Sequence, residues 1–399
     1  MKKLLVLAMV LVLAAPMFAE MSIGGEFDYY MVNGFKSFDP ADPEDSPSFE
    51  DLWDKGEVDF KATVGDYSEV RIELEEDGSW DRGIVAGRDD NEGNPSFNYF
   101  RVITDWGKFF GLEGIGIKTD IGLNSYGTFD NVDFTGFNYE NADNFDNAEL
   151  DKDFGAKISL SFVDGLVQPY VAWNFNTPTR EDATLNHEGD PADEGFQMIV
   201  GAGFDFNAMG LPLWLEAYFF KEAEEKINQF GVEAMYDLAI GDMNFKIGGF
   251  LLSDTNGDDR GQVYGVGVGF EAFGAAINVS GLGRFGEDFY GEDADGNKHY
   301  SPFEVLGIDA EYFFLDWLGV NAGFAIAFGD YKEYDAGDKA LQSFEAGVVV
   351  KPDKGVCYKL GYIYVDEDAA GTGNDFRTLN TKGVTAEKGG LYFVTKIDF

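Results

Sequence analysis

The sequence predicts an all-β chain closed into a transmembrane antiparallel up-and-down β-barrel of about eighteen strands, with sixteen as the alternative count. Three observations predict it. At the carboxyl end Phe393, Thr395, Ile397 and Phe399 fall on one face and Val394, Lys396 and Asp398 on the other. That is the period of a strand between water and an apolar medium. At the amino end Met1-Lys2-Lys3, the apolar run Leu4–Ala15 and small residues to Ala19 have the layout of an export signal cleaved after Ala19. Between these ends, short turns and long polar loops alternate with scarcely a break of phase.

Composition narrows the class. The run Leu4–Ala15 is too short to cross about 30 Å of hydrocarbon, so cleavage is expected, leaving residues 20–399 as a single barrel domain. Residues 1–19 hold two lysines and no acid, so their removal takes the net charge from −44 to −46. A chain this acidic does not seek nucleic-acid phosphates. Its 45% hydrophobic and 16% aromatic content argues against disorder, and 51 glycines beside 11 prolines favour strands and turns. Cys357, the single cysteine, excludes a disulfide within the chain and lies far from the cleavage site. Stability must come from packing and backbone hydrogen bonds.

The elements follow in order. Ser22–Met31 sets Glu26, Asp28 and Tyr30 against Phe27, Tyr29 and Met31, and the acidic loop Asn33–Lys55 follows. Glu57–Val64 places Glu57, Asp59, Lys61 and Thr63 opposite Val58, Phe60, Ala62 and Val64. Gly65–Tyr67 turns the chain into Val70–Glu75, where Arg71, Glu73 and Glu75 oppose Val70, Ile72 and Leu74. Loop Glu76–Pro95, strand Ser96–Asp105, a turn over Trp106–Leu112 and strand Gly114–Leu123 come next. The longest loop, Asn124–Asp151, leads to Phe154–Phe162, where Lys157, Ser159 and Ser161 oppose Ala156, Ile158 and Leu160.

The same rhythm continues to the end. Hairpins are expected at Val167–Phe175, at Phe196–Phe206 with Leu213–Phe220, and at Ile227–Tyr236 with Met243–Leu252. Further pairs are Gln262–Glu271 with Gly274–Leu282, Phe303–Phe314 with Gly319–Phe328, and Leu341–Val350 with Val356–Val365. No stretch has a helical period. Sheets packed into a soluble sandwich would want both faces of many strands apolar. Here one face is apolar and the other carries Glu, Asp, Lys, Ser, Gln and Gly, which suits lipid outside and water inside. Aromatic girdles are expected from Tyr29, Phe60, Tyr218, Phe219, Tyr358, Tyr362, Tyr364 and Phe399.

The export signal, the alternating strands, the long loops and the terminal Leu391-Tyr392-Phe393 and Ile397-Asp398-Phe399 resemble a Gram-negative-type outer-membrane β-barrel of the porin class. The resemblance spans the chain after Ala19 and is architectural; the Pro-Glu-Phe-Gly-Gly stretch of general porin constriction loops is absent. It implies residence in outer-membrane lipid, with Phe393, Ile397 and Phe399, beside Tyr392, as the signal for the barrel-assembly machinery. It also implies a homotrimer, by analogy alone. No plug domain is expected ahead of the first strand, which argues against an energised transporter.

The resemblance further implies that the loop between the fifth and sixth strands, Asn124–Asp151, folds into the lumen. Its acids Asp130, Asp133, Glu140, Asp143 and Asp146 are the candidate constriction, interleaved with Tyr126, Phe129, Phe134, Phe137, Tyr139 and Phe145. Apolar residues would hold the loop to the wall while acids face the pore; the alternative is a solvated external loop. Arg71, Lys118 and Lys157 are candidates for a basic wall across from the acids, giving a transverse field. Glu57, Asp59, Glu73, Asp120, Glu216 and Glu233 are also expected to face the lumen. An acidic constriction gathers cations and repels anions.

Other chemistry is thin. Asp254–Asp259 and Asp293–Asn297 alternate oxygen ligands but lack the spacing of a calcium loop, so they are expected only to gather divalent cations loosely. No cofactor is expected. His187 and His299 lie in loops with no serine placed to work with either, so the chain is not expected to be an enzyme. Gly265, Gly267 and Gly269 lie within an alternating strand, where close strand packing explains them better than a nucleotide loop. The sequence therefore points to a passive, cation-preferring channel for small hydrophilic solutes. A surface structural or adhesive barrel with acidic loops, and a substrate-selective channel of the sugar type, are the alternatives.

Overall fold

The computed structural model describes residues 20–34, 49–77, 96–129, 150, 153–174, 197–222, 228–254, 261–286, 305–327, 341–365 and 390–398. Residues 1–19, with the expected cleavage site, and Phe399 lie outside them. The chain enters the sheet as β1 (Glu20–Gly34), β2 (Phe49–Val64), β3 (Ser68–Asp77), β4 (Ser96–Asp105) and β5 (Ile115–Asn124). It continues as β6 (Asp153–Phe162), β7 (Val167–Asn174), β8 (Gln197–Asp205), β9 (Leu213–Glu222), β10 (Asn228–Ile240) and β11 (Met243–Asp254). The remainder is β12 (Gly261–Ala272), β13 (Ala275–Gly286), β14 (Val305–Leu315), β15 (Leu318–Ala327), β16 (Leu341–Asp353), β17 (Val356–Val365) and β18 (Gly390–Asp398).

All eighteen strands form one sheet in which each pairs antiparallel with its sequence neighbours. The first pairs with the last, Glu26 opposite Asp398 and Gly34 opposite Gly390, so the sheet has no edge. Closure satisfies every strand's backbone on both sides, the condition for crossing lipid with strands. Among the described residues no helix is long and apolar enough to cross a membrane.

Side chains sort by parity. Ile23, Val102, Ile121, Val200, Ile247, Val266, Val279, Ile308, Val320 and Leu360 are exposed on the outer surface. Their neighbours Glu73, Glu216, Glu233, Asp309, Asn321 and Glu345 are buried within the barrel. The inversion expected from the sequence is therefore present. On the outside, Phe344 packs against Tyr362 and Tyr364, and Tyr358 stacks on Phe393.

Three local expectations need correction. The strand expected to begin near Glu57 begins at Phe49, because β1 and β2 stay paired beyond a bulge at Asp28 and Tyr29. The turn after β4 holds one helical turn, α1 (Trp106–Phe110). The Asp105 carboxylate caps it by accepting the Lys108 N–H at 3.0 Å, and Gly111 ends it with φ 65°. This turn carries an unforeseen aromatic cluster at the short-turn rim, with Phe109 edge-on to Tyr67 and Trp106 and Phe110 stacked on Trp106.

The third correction is Tyr218, expected in a lipid-facing girdle but 2% exposed on the inner face. Its ring lies over Gly231 on the next strand, where an added Cβ would sit 2.0 Å from Tyr218 Cζ. Four more inward aromatics use glycine the same way: Tyr170 over Gly201, Trp214 over Gly203, Phe250 over Gly265, and Tyr392 over Gly347 and Gly361. Gly265 thus serves close packing of an aromatic ring, as its strand context suggested. Rings laid flat on a neighbouring strand fill the wall at high density without reaching across the lumen.

Gly231→Ala is expected to overpack this joint and lower barrel stability by about 1–3 kcal/mol in urea unfolding at fixed lipid. Adding Tyr218→Ala should recover part of the loss, because the two sites share one contact. A Gly231→Ala barrel as stable as the parent would refute the joint.

Candidate functional site

After Asn124 the chain leaves β5 and turns into the barrel. Tyr126 is 1% exposed, and so is Leu150 at the far end of the same loop. The Leu150 N–H donates to the Tyr126 carbonyl at 3.2 Å, which closes the loop at its base. Both pack on an apolar patch of the inner wall made by Tyr170 and Ala172 of β7, Ile199 of β8, Tyr218 and Phe220 of β9, and Leu252 of β11. Gly155 on β6 permits this, since a Cβ there would meet Tyr126 Cδ2 at 3.2 Å and the Trp173 carbonyl at 2.5 Å.

Residues 127–129 are then gripped from two sides. The Lys157 ammonium on β6 donates to the Gly127 carbonyl at 2.6 Å and to the Thr128 carbonyl at 3.1 Å. The Glu216 carboxylate on β9 accepts the Phe129 N–H, at 3.2 Å to Oε1 and 3.1 Å to Oε2. It also accepts the Tyr170 hydroxyl at 2.6 Å. Between them the Phe129 ring stands edge-on to Tyr170 and Trp214, and the Lys157 ammonium lies 4.8 Å from the Phe129 ring centre and 4.6 Å from that of Tyr170. A cation on carbonyls and an anion on an amide complement the backbone dipoles at both points.

A polar ladder lines the wall next to this clamp. Tyr99 on β4 donates to Asp59 on β2 at 2.8 Å, and the Arg101 guanidinium lies 4.7 Å from the Tyr99 ring centre. Arg101 in turn bonds Asp120 on β5 at 3.1 Å, and Asp120 stands opposite Lys157 in the register of β5 and β6. Carboxylate oxygens of Glu57, Asp59 and Glu73 lie within 4.8 Å of one another, the one group among the described residues close enough to hold a metal ion. Tyr99 already shares that cluster, and nothing else about it points to an ion.

The expected basic wall separates into three environments. Lys157 grips the loop. Arg71 pairs with Glu69, which also binds Lys61 at 2.9 Å. Lys118 is exposed on the lumen parity of β5, opposite Ser159 and Asp105. The acids Asp130, Asp133, Glu140, Asp143 and Asp146 lie outside the described residues, as do the acidic segments at 255–259 and 293–297, His187 and His299. Phe393 faces outward against Tyr358, while Tyr392, grouped with it in the terminal signal, faces inward and shares Asn321 with Glu345.

Tyr99, Arg101, Tyr170 and Trp214 were not singled out from the sequence. The first two lie at alternate positions of an expected strand, so parity was available as a signal. Tyr170 and Trp214 gave none, because aromatics on such a strand read equally as lipid-facing.

On the other side of the lumen Glu311 holds Lys351 at 3.3 Å and Lys359 at 2.9 Å. They border a cavity of ≈ 770 Å³ at the short-turn end, also lined by Trp317, Cys357 and Lys396.

This architecture has solved counterparts. OccAB2 of Acinetobacter baumannii superposes with a TM-score of 0.54 at 11% identity, over 96% of this chain and 98% of that one. The fold is that of the outer-membrane porins. OpdK of Pseudomonas aeruginosa, solved with vanillate, gives 0.53 at 10% identity, and a BenF-like porin from Pseudomonas fluorescens Pf-5 gives 0.52 at 10%. Each match covers 96% of this chain and 99% of the other. No family model matches the sequence, and no curated protein matches it. At these identities the likeness is one of fold.

Glu216→Ala removes the acceptor of the Phe129 amide, a charge-assisted bond worth about 1.5–3 kcal/mol. Hydrogen exchange at 126–129 is expected to quicken by about tenfold or more, with β9 amides still protected. Amides at 126–129 that exchange freely in the parent barrel would refute the inward seating.

Proposed function

We propose that the chain is a passive outer-membrane channel for small hydrophilic solutes, preferring cations, and narrowed by the segment 124–151. One observation carries this reading: the base of that segment is fastened to the inner wall through Lys157 and Glu216. Asp130 follows Phe129 directly, so the acidic run starts from a point already inside the barrel. Apolar anchors Tyr126, Phe129 and Leu150 spend their side chains on the wall. The field of that acidic run would raise local cation concentration, with Lys118 exposed on the lumen parity of β5 as a basic residue on the wall. Conduction follows from pore width and charge, with no reaction catalysed.

Export through a signal cleaved after Ala19 and assembly through Phe393, Ile397 and Phe399 belong to the same reading, as do homotrimer formation and loose binding of divalent cations by the external acids. A second reading is a substrate-selective channel. It is favoured by the neighbours' ligands, vanillate in OpdK and glucuronate in OccK2 of Pseudomonas aeruginosa, the latter superposing with a TM-score of 0.50. On this chain Arg71 and Arg101 would be the residues to meet a solute carboxylate.

Refolded protein in a planar bilayer under a KCl gradient discriminates these. Steady conductance steps with a reversal potential on the cation side are expected. Neutralising Asp130, Asp133, Glu140 and Asp143 together should lower the cation-to-anion permeability ratio by about twofold or more. Reversal on the anion side would favour a selective channel for organic acids. Folded, inserted protein that never conducts would favour a structural or adhesive barrel.

A further inference from the structure

Exposed apolar side chains crowd the short-turn rim. Eight short turns join successive strands, from β2–β3 round to β16–β17. On six of them the tip carries a large apolar or aromatic residue: Tyr67, Phe110, Val163, Met209, Phe273 and Trp317. These side chains are between 40% and 80% exposed, as much as charged residues at a surface. None of them belongs to the girdles expected from the strands. The turn between β16 and β17 is of the opposite kind, with Pro352, Asp353 and Lys354 exposed.

Two tips hold such side chains where the backbone favours others. Phe273 and Gly274 form the two-residue turn between Ala272 and Ala275, with φ 53° and 79°. Asn-Gly is the usual pair for that geometry. Val163, a β-branched residue, has φ 54°. A turn standing in water gains nothing from these side chains. The medium they meet is shown by α1. Trp106 Nε1 donates to Thr119 Oγ1 at 2.9 Å, and Thr119 lies on the outer face of β5, between Lys118 and Asp120 on the lumen parity. An added Cβ at Gly107 would sit 2.8 Å from the Ile115 carbonyl oxygen, so α1 packs directly on the backbone of β5. Phe109 and Phe110 thus continue the apolar outer wall that Val102 and Ile121 begin. Strands β4–β9 are 8–10 residues long, about the length that crosses hydrocarbon when tilted, so the turns joining them fall at headgroup level.

We propose that the short-turn rim is seated within the headgroup layer of the adjoining leaflet, with phospholipid as the partner of its apolar tips and of α1. Lipid surrounds a barrel on every side, and the six tips are spread in the same way from β2 to β15; a docked protein or a second copy would cover one arc. Aromatic and aliphatic side chains gain at this boundary by leaving water while the turn backbone keeps its contact with headgroups. The β16–β17 turn stays in water, beside the cavity lined by Lys351, Lys354 and Lys359. Seating the rim in this way fixes the depth of the barrel at one end by its turns rather than by its strands alone. The inference stands on the fold and holds whether or not the barrel conducts.

The test uses the full barrel refolded into phosphatidylcholine vesicles. In a Cys357→Ser background, single nitroxide labels are placed through Phe110→Cys, Val163→Cys, Phe273→Cys and, as the water reference, Lys354→Cys. Collision with oxygen, which partitions into lipid, is compared with collision with a nickel chelate confined to water. The oxygen-to-chelate ratio at 110, 163 and 273 is expected to exceed that at 354 by about threefold or more. A second measurement needs no label. Phe273→Leu keeps an apolar tip, whereas Phe273→Asn suits the turn backbone and removes the apolar contact. In urea unfolding from vesicles Phe273→Leu is expected to be the more stable of the two; a tip in water reverses that order. Heat-modifiable migration and the β-sheet circular dichroism signal confirm that each variant is folded. Labels at the three tips as open to the chelate as the label at 354, or Phe273→Asn at least as stable as Phe273→Leu, overturns the inference and leaves the rim to a protein partner.

Discussion

The pairing of β1 with β18 is the contact on which the rest of the structure depends. In hydrocarbon an unpaired strand edge leaves a column of N–H and C=O groups without partners, each costing several kcal/mol, so a sheet in lipid must close or fail. Here closure runs from Glu26 opposite Asp398 to Gly34 opposite Gly390, which makes the two ends of the chain neighbours. Once the ring is closed, each strand has one face for lipid and one for the interior. Every polar residue then has to find its place by parity. That is why a chain with so many acids still presents valine, isoleucine, leucine and phenylalanine along its outer surface.

Inside, three walls have different characters. Across β2–β5 a chain of contacts joins Asp59, Tyr99, Arg101 and Asp120. Across β7–β11 the wall is apolar and aromatic, and the loop after β5 lies on it. Across β12–β16 small residues pair in one row, Gly267, Ser280, Gly307, Ala325 and Ser343. Lys157 and Glu216 join the first two, because they sit where the loop backbone passes from polar to apolar surface. A loop held only by its aromatic contacts would have freedom to slide. Charged partners on carbonyls and amide fix its direction as well as its depth.

Much of this was legible before any tertiary contact was known. Strand number, the up-and-down order, the short-turn and long-loop asymmetry and the facing of Glu73, Glu216 and Glu233 follow from a side-chain period of two. Folding of the whole 124–151 loop into the lumen was an expectation from the porin resemblance, with a solvated loop as the alternative. Of that loop the structure describes Asn124–Phe129 and Leu150, and Tyr126, Phe129 and Leu150 sit against the wall. Tyr218 was misread because its strand alternates Trp214, Glu216, Tyr218 and Phe220 against Leu213, Leu215, Ala217 and Phe219. With aromatics on both faces, hydrophobicity alone cannot say which side meets lipid. An aromatic inner face arises where another segment covers it, and that partner is more than twenty residues from either end of the contact in sequence.

The sequence by itself determined the class of fold and the chemistry of each strand face, because alternation is a local property carried by every few residues. Only the tertiary structure decided which residues stand opposite one another. Register places Gly231 beneath Tyr218 and Gly265 beneath Phe250, and it lines up Gly248, Gly267, Ser280 and Gly307 in one row. It also brings Lys157 and Glu216, three strands apart, to the two sides of one short backbone segment. A slip of one residue in any pairing would keep the local pattern of a strand while turning its faces around. The energy that rejects such slips lies in cross-strand contacts and in closure of the ring, which no single strand contains.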